Sequence, residues 1–110
     1  MSGLDAGAVG RILAAELGRL APFKNFHGIT PDNLQSFLVS PYALTVDPDD
    51  LETAPRKMWV VLEERPGVNS GYFVVYDPLG STWGVAERST GNNHVLVCGA
   101  ASLAEALDSM

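Results

Sequence analysis

The apolar positions of the chain change period about one third of the way along it. In the first segment Val9, Ile12, Leu13, Leu17 and Leu20 recur at spacings of three and four, which places them on one stripe of a helix over Leu4 to Leu20. Gly7, Gly10 and Gly18 weaken this helix by about 1 kcal/mol each relative to alanine, so it depends on docking its stripe against another layer. Pro22 ends it, and residues 23–28 read as a loop anchored by Phe23 and Phe26. Thr30 followed by Pro31 has the pattern of a helix N-cap with proline at the first position. Leu34, Phe37 and Leu38 then share a face, which predicts a short second helix from Pro31 to Val39, stopped by Pro41.

Beyond Pro41 the helical period is replaced by short β-rich runs. Tyr42 to Val46 suits a fifth, short strand, and Asp47 to Pro55 is a loop with room for one helical turn around Asp49 to Glu52. Met58 to Glu64, Tyr72 to Asp77 and Thr82 to Arg88 are separated by Pro66-Gly67 with Asn69-Ser70-Gly71, and by Asp77-Pro78-Leu79-Gly80. His94 to Cys98 follows the turn Thr90-Gly91-Asn92-Asn93. Connections this short join antiparallel neighbours, with glycine supplying positive φ, so four strands in a meander are predicted. Ser102-x-x-Glu105 is a capping box followed by Leu103, Ala106 and Leu107 on one face, and predicts a short closing helix. Helices and strands fall in separate runs along the chain, which indicates an α+β class in one domain over residues 1–110.

Composition adds that the chain should fold alone, with 46% hydrophobic and 18% charged residues in 110. The charge is unevenly placed. Through Val46 three acids face three bases, and from Asp47 onward ten acids face Arg56, Lys57, Arg65 and Arg88, so the strand-rich part carries the whole net charge of −6. That sign repels phosphate backbones and argues against nucleic acid, while it speeds encounter with a basic protein surface. The lone cysteine, Cys98, rules out an internal disulfide and suits a reducing compartment. The sequence shows no secretory leader, membrane span or glycosylation sequon, so a cytoplasmic protein with no membrane partner is expected.

Candidate chemistry is sparse. Cys98 and His94 are four apart on a predicted strand, about 13 Å at 3.3 Å per residue, too far for a nucleophile and its base. His27 reaches Cys98 only through the fold. Asp47, Asp49, Asp50 and Glu52 begin like a calcium loop, but Leu51, Glu52 and Met58 occupy places where an EF-hand needs an oxygen ligand, glycine and glutamate. Glu63 and Glu64 point to opposite sides of a strand end, and Glu63 with Glu87 is the one pairing that would place two carboxylates together for acid/base work. Gly80-Ser81-Thr82-Trp83-Gly84 lacks the lysine and helix of a phosphate loop. No catalytic set, metal set or cofactor is assigned.

The aromatic residues point elsewhere. Trp59, Tyr72, Tyr76 and Trp83 all lie in the meander, and alternation puts Trp59 with Val61, and Tyr72 with Val74 and Tyr76, on single faces. The opposite faces, Met58/Val60/Leu62 and Phe73/Val75, are apolar too. Either the helices divide between the two faces or one aromatic face is left for a partner. With Asp47, Asp49, Asp50 and Glu52, these four aromatics form the candidate partner-binding set, since interface hot spots favour Trp and Tyr. In general character the chain resembles the small acidic α+β proteins that bacteria use as immunity or antitoxin partners. The resemblance implies a non-catalytic inhibitor that docks an acidic, aromatic surface over a basic toxin. The alternatives are a small-ligand site or small enzyme between sheet and helices, and a homodimer joined through the meander.

Overall fold

The computed structural model describes residues 5–20, 23, 28–30, 32–47, 56–64, 71–78, 80–88 and 94–110. The first helix, α1, spans Ala6–Gly18, and Asp5 stands before it in extended backbone with its Oδ1 accepting from the Ala8 N–H at 2.8 Å. The predicted stripe is the one that packs: Val9 and Leu13 are buried, and Ile12, Leu17 and Leu20 lie partly buried against the same cluster.

The predicted second helix is reduced to a single 3-10 turn, Leu34–Ser36, and Leu38 and Val39 belong instead to the first strand. Two competing demands on the backbone account for this. The Asn33 side chain accepts from the Thr30 N–H at 2.7 Å and donates to the Gly28 carbonyl at 2.9 Å, which winds the segment locally. On the other side, the Phe37 carbonyl accepts from the Glu63 N–H at 3.0 Å and so ties the chain to the sheet.

Five strands follow: β1 Leu38–Asp47, β2 Arg56–Glu63, β3 Tyr72–Asp77, β4 Thr82–Arg88 and β5 His94–Ala100. β1 is twice as long as the predicted Tyr42–Val46 run and passes through Pro41. The register permits it, because Leu38 faces Leu62 and Tyr42 faces Val60, which sets Val39, Ser40 and Pro41 against Val61 alone in a register shift, where proline's missing N–H is harmless. Sequential neighbours are antiparallel, as expected of a meander. At the β3–β4 turn the positive φ, 53°, falls on Ser81 and not on a glycine.

The sheet then closes on itself. β1 meets β5 in parallel at Val46 with His94 and Asp47 with Val95, completing a barrel in the order β1-β2-β3-β4-β5. The last helix, α2 (Leu103–Ser109), carries the predicted cap, Ser102 Oγ accepting from the Glu105 N–H at 3.1 Å. Its first N–H is taken from the other end of the chain. Glu16 Oε2, buried on α1, accepts from the Leu103 N–H at 2.9 Å, and Glu16 Oε1 accepts from Arg19 Nη2 at 3.0 Å. The carboxylate therefore satisfies a helix N-terminus and pins α1 to α2.

Two hydrophobic clusters result, one on each face of the sheet. The first joins Val9 and Leu13 of α1 and Leu103, Ala106 and Leu107 of α2 to Trp59, Val61, Leu62, Val74, Tyr76, Trp83 and Val85. The second contains no helix residue: Val46, Met58, Val60, Phe73, Val75 and Ala86 pack on one another, with Leu44 and Leu96 at the margin. Five strands enclose too narrow a space to admit a helix, so the second cluster is the barrel lumen and the helices lie outside. Gly84 shows how tight that lumen is. A Cβ there would come within 2.9 Å of both the Cys98 carbonyl oxygen and Leu96 Cδ1, so only glycine lets β5 approach β4.

Candidate functional site: two acidic ends of the lumen

The aromatic anchors expected on a contact surface lie under the helices. Trp59, Tyr76 and Trp83 are 8%, 6% and 5% exposed, and Tyr72 is half-buried against the same cluster. Tyr76 and Trp83 face each other across β3 and β4, with ring centroids 4.9 Å apart, and Lys57 Nζ lies 5.3 Å from the Trp59 ring. Neither alternative for the two apolar faces is the one adopted: the helices do not divide, and the aromatic face is not left open. Both helices cover that face while the other curls inward. Asp47 is half-buried at the β1–β5 seam, and Asp49, Asp50, Glu52 and His27 lie outside the described residues.

Bulges decide which polar residues share a face. Val60 pairs with Val75 and Leu62 with Val74, so Val61 is an extra residue and Leu62 turns toward the helices instead of continuing the Met58/Val60 face. Glu63, opposite Phe73, thereby points to the lumen side. Phe73 pairs next with Ala86, so Glu87 lies on the other side, and the possible Glu63/Glu87 carboxylate pair is not assembled. On β5, Ala86 pairs with Leu96 and Val85 with Cys98, leaving Val97 as the extra residue, 41% exposed. Cys98 consequently packs with the helix-side cluster, whereas His94 stacks edge-on against Phe73 with centroids 5.2 Å apart. The two are on opposite faces, not on one face as strict alternation implies.

At one end of the lumen stands a phenol–carboxylate pair. The Tyr42 hydroxyl donates to Glu63 Oε2 at 2.6 Å, with Glu63 buried and Tyr42 38% exposed. Burial, then the hydrogen bond to Glu63 and its charge, hold the Tyr42 phenol well above its ordinary value, since ionising it would set two anions in contact. The pair orients the carboxylate.

The other end is formed by Asp77. Phe73, Val75 and Asp77 alternate along β3, so Asp77 continues the lumen face about 13 Å from the Phe73 end at 3.3 Å per residue. It is 7% exposed and lies opposite Thr82. A cavity of about 140 Å³ opens here, walled by Met58, Val75, Leu96 and Trp83, with Asp77, Thr82 and the glycines Gly84 and Gly99 completing it.

Of the groups at these ends the sequence singles out Glu63, but not its partner Tyr42 or Asp77. Tyr42 opens a run whose neighbours in the sheet are set by pairing that local pattern does not specify. Asp77 was counted as turn chemistry, although its two-residue spacing from Phe73 and Val75 marked it as an acid on an apolar face. Among the described residues, no group of three His, Cys, Asp or Glu is placed to hold a metal ion, and no helix is long and apolar enough to cross a membrane. No protein-family model, curated protein or solved structure matches the chain.

Proposed function

We propose that the protein works by binding a basic protein surface in the cytoplasm rather than by catalysis, in the manner of an immunity- or antitoxin-type partner. The observation that carries this reading is the charge asymmetry. From Asp47 onward ten acids face four bases, and Glu87, Glu105 and Asp108 are exposed on the strand and helix of that half. Because Trp59, Tyr76 and Trp83 are committed to the core, the contact is electrostatic in character. Its signature is fast, salt-sensitive association, since exposed charges act chiefly on encounter rate and are screened over about 8 Å at physiological ionic strength. The separation of Glu63 from Glu87, and of His94 from Cys98, supports binding over acid/base or nucleophilic chemistry.

Immobilised protein used as bait in native lysate, at low and at raised salt, tests the proposal against a variant carrying Asp49→Asn, Asp50→Asn, Glu52→Gln and Glu87→Gln. A basic protein retained by the wild type, released by salt and not retained by the variant is the expected result. Absence of any specific protein, together with hydrolytic turnover that disappears in Glu63→Gln, overturns it.

A further inference from the structure

The geometry points to the cavity at the Asp77 end of the lumen as a receptor for a primary ammonium group, and we propose that its occupant is a lysine side chain of the protein partner. This rests on the preceding proposal for its occupant, and on the barrel alone for its chemistry. Register places Asp77 and Thr82 directly opposite each other on the lumen face. The neighbouring row puts Val75 opposite Gly84, so a carboxylate and a hydroxyl stand beside an apolar floor. The cavity, about 140 Å³, is several times the space one water needs and has room for the methylenes and nitrogen of a lysine side chain. Met58, Val75 and Leu96 suit the methylenes and Asp77 with Thr82 the ammonium, the division of contacts that a long amphipathic side chain requires.

A carboxylate held 7% exposed carries a desolvation cost that an incoming cation offsets, and this contact adds to those Asp77 already makes within the chain. Gly84 keeps the site open, because any side chain there meets Leu96 Cδ1 at 2.9 Å. Thr82 is exposed and marks the entrance, so the occupant arrives from outside the barrel without the lumen having to open.

The test uses the full chain with n-butylammonium chloride as probe, followed through methyl resonances in nuclear magnetic resonance spectra. Saturable shifts confined to the methyls of Met58, Val75 and Leu96, at millimolar affinity, are expected. Uncharged n-butanol should bind about tenfold more weakly or worse, consistent with loss of a charge-assisted contact. Asp77→Asn should weaken the ammonium by a similar factor, and Thr82→Val, at an exposed position that leaves the core intact, should weaken it severalfold. Equal binding of butanol and butylammonium, or no saturable shift at all, overturns the site. If butylammonium binds but the partner captured by the wild type is retained equally by Asp77→Asn and Thr82→Val, the lysine occupant is overturned while partner binding itself stands. If butylammonium binds and no partner is captured, the broader functional proposal fails and the lysine occupant with it, leaving an ammonium site.

Discussion

The two faces of this sheet are both apolar in sequence and are buried by opposite means. The aromatic face, with Trp59, Tyr76 and Trp83, is wide enough to need two helices, and α1 covers β1 and β2 while α2 covers β4 and β5. The lumen face, with Val46, Met58, Val60, Val75 and Ala86 around one large ring, Phe73, is built from smaller side chains and is buried by curling the sheet onto itself. The two clusters differ in ring content: the lumen closes around the single ring of Phe73 among aliphatic side chains, whereas Trp59, Tyr76 and Trp83 spread across the wider surface that the helices cover. Polar chemistry follows the same division. Glu16 on the helix side is spent on joining α1 to α2, whereas Glu63 and Asp77 on the lumen side end at its openings.

The largest expected effect tests whether the lumen is a packed core in its own right. Phe73→Ala and Trp83→Ala should each cost about 3–5 kcal/mol in chemical denaturation, because each empties a buried ring site. A cost below about 1 kcal/mol for Phe73→Ala alone would mean that the lumen is held by the strands and not by its contents, and the comparison would fail.

Much of this was legible in the sequence, and what was not has a common cause. The α1 stripe, the capping box of α2 and the order of strands follow from local periodicity and cap chemistry, which the fold leaves intact. The extra residues Val61 and Val97 do not announce themselves, because a bulge is chosen by pairing between strands and each Val is a good strand residue in either state. Each bulge sends the residues beyond it to the face that strict alternation denies them, and so moves Leu62 to the helices, Glu63 to the lumen and Cys98 away from His94. Barrel closure was equally hidden, since it rests on two parallel pairs between β1 and β5, which are separated by three other strands. The candidate contact residues shared this fate: the aromatics were found, but the side they occupy is decided by where the helices dock.

The helix side has its own polar staple, and removing it gives the next effect. Glu16→Ala leaves the Leu103 N–H without its carboxylate and should cost about 1.5–3 kcal/mol, with Glu16→Gln recovering part of that through its amide oxygen. Arg19→Ala serves as the control. Its side chain is 75% exposed, so loss of its ion pair with Glu16 should be worth under about 1 kcal/mol. Equal effects of Glu16→Ala and Arg19→Ala would show that the ion pair, and not the helix N-terminus, is the partner that matters. On the lumen side Gly84→Ala should cost about 1–3 kcal/mol by forcing β5 away from β4, and hydrogen exchange should rise in β5 before it rises in β2.

The smallest effect separates the faces by pH. Tyr42→Phe should cost about 1 kcal/mol at neutral pH, the typical worth of one hydrogen bond, because Glu63 keeps its burial but loses the phenol donor. Above neutrality the wild type should behave differently from the variant. The phenol is ordinarily half-ionised near pH 10, and in the folded protein burial and Glu63 hold it protonated beyond that point. Below about pH 10 both states carry the proton and no slope arises. As pH rises further the unfolded chain loses it first, so the folded state binds more protons and stability falls. Denaturation midpoints compared at about pH 8 and about pH 11 should therefore drop more for wild type than for Tyr42→Phe, whose remaining loss comes from groups common to both. Parallel declines would show that burial and Glu63 together do not hold the phenol protonated in the folded state.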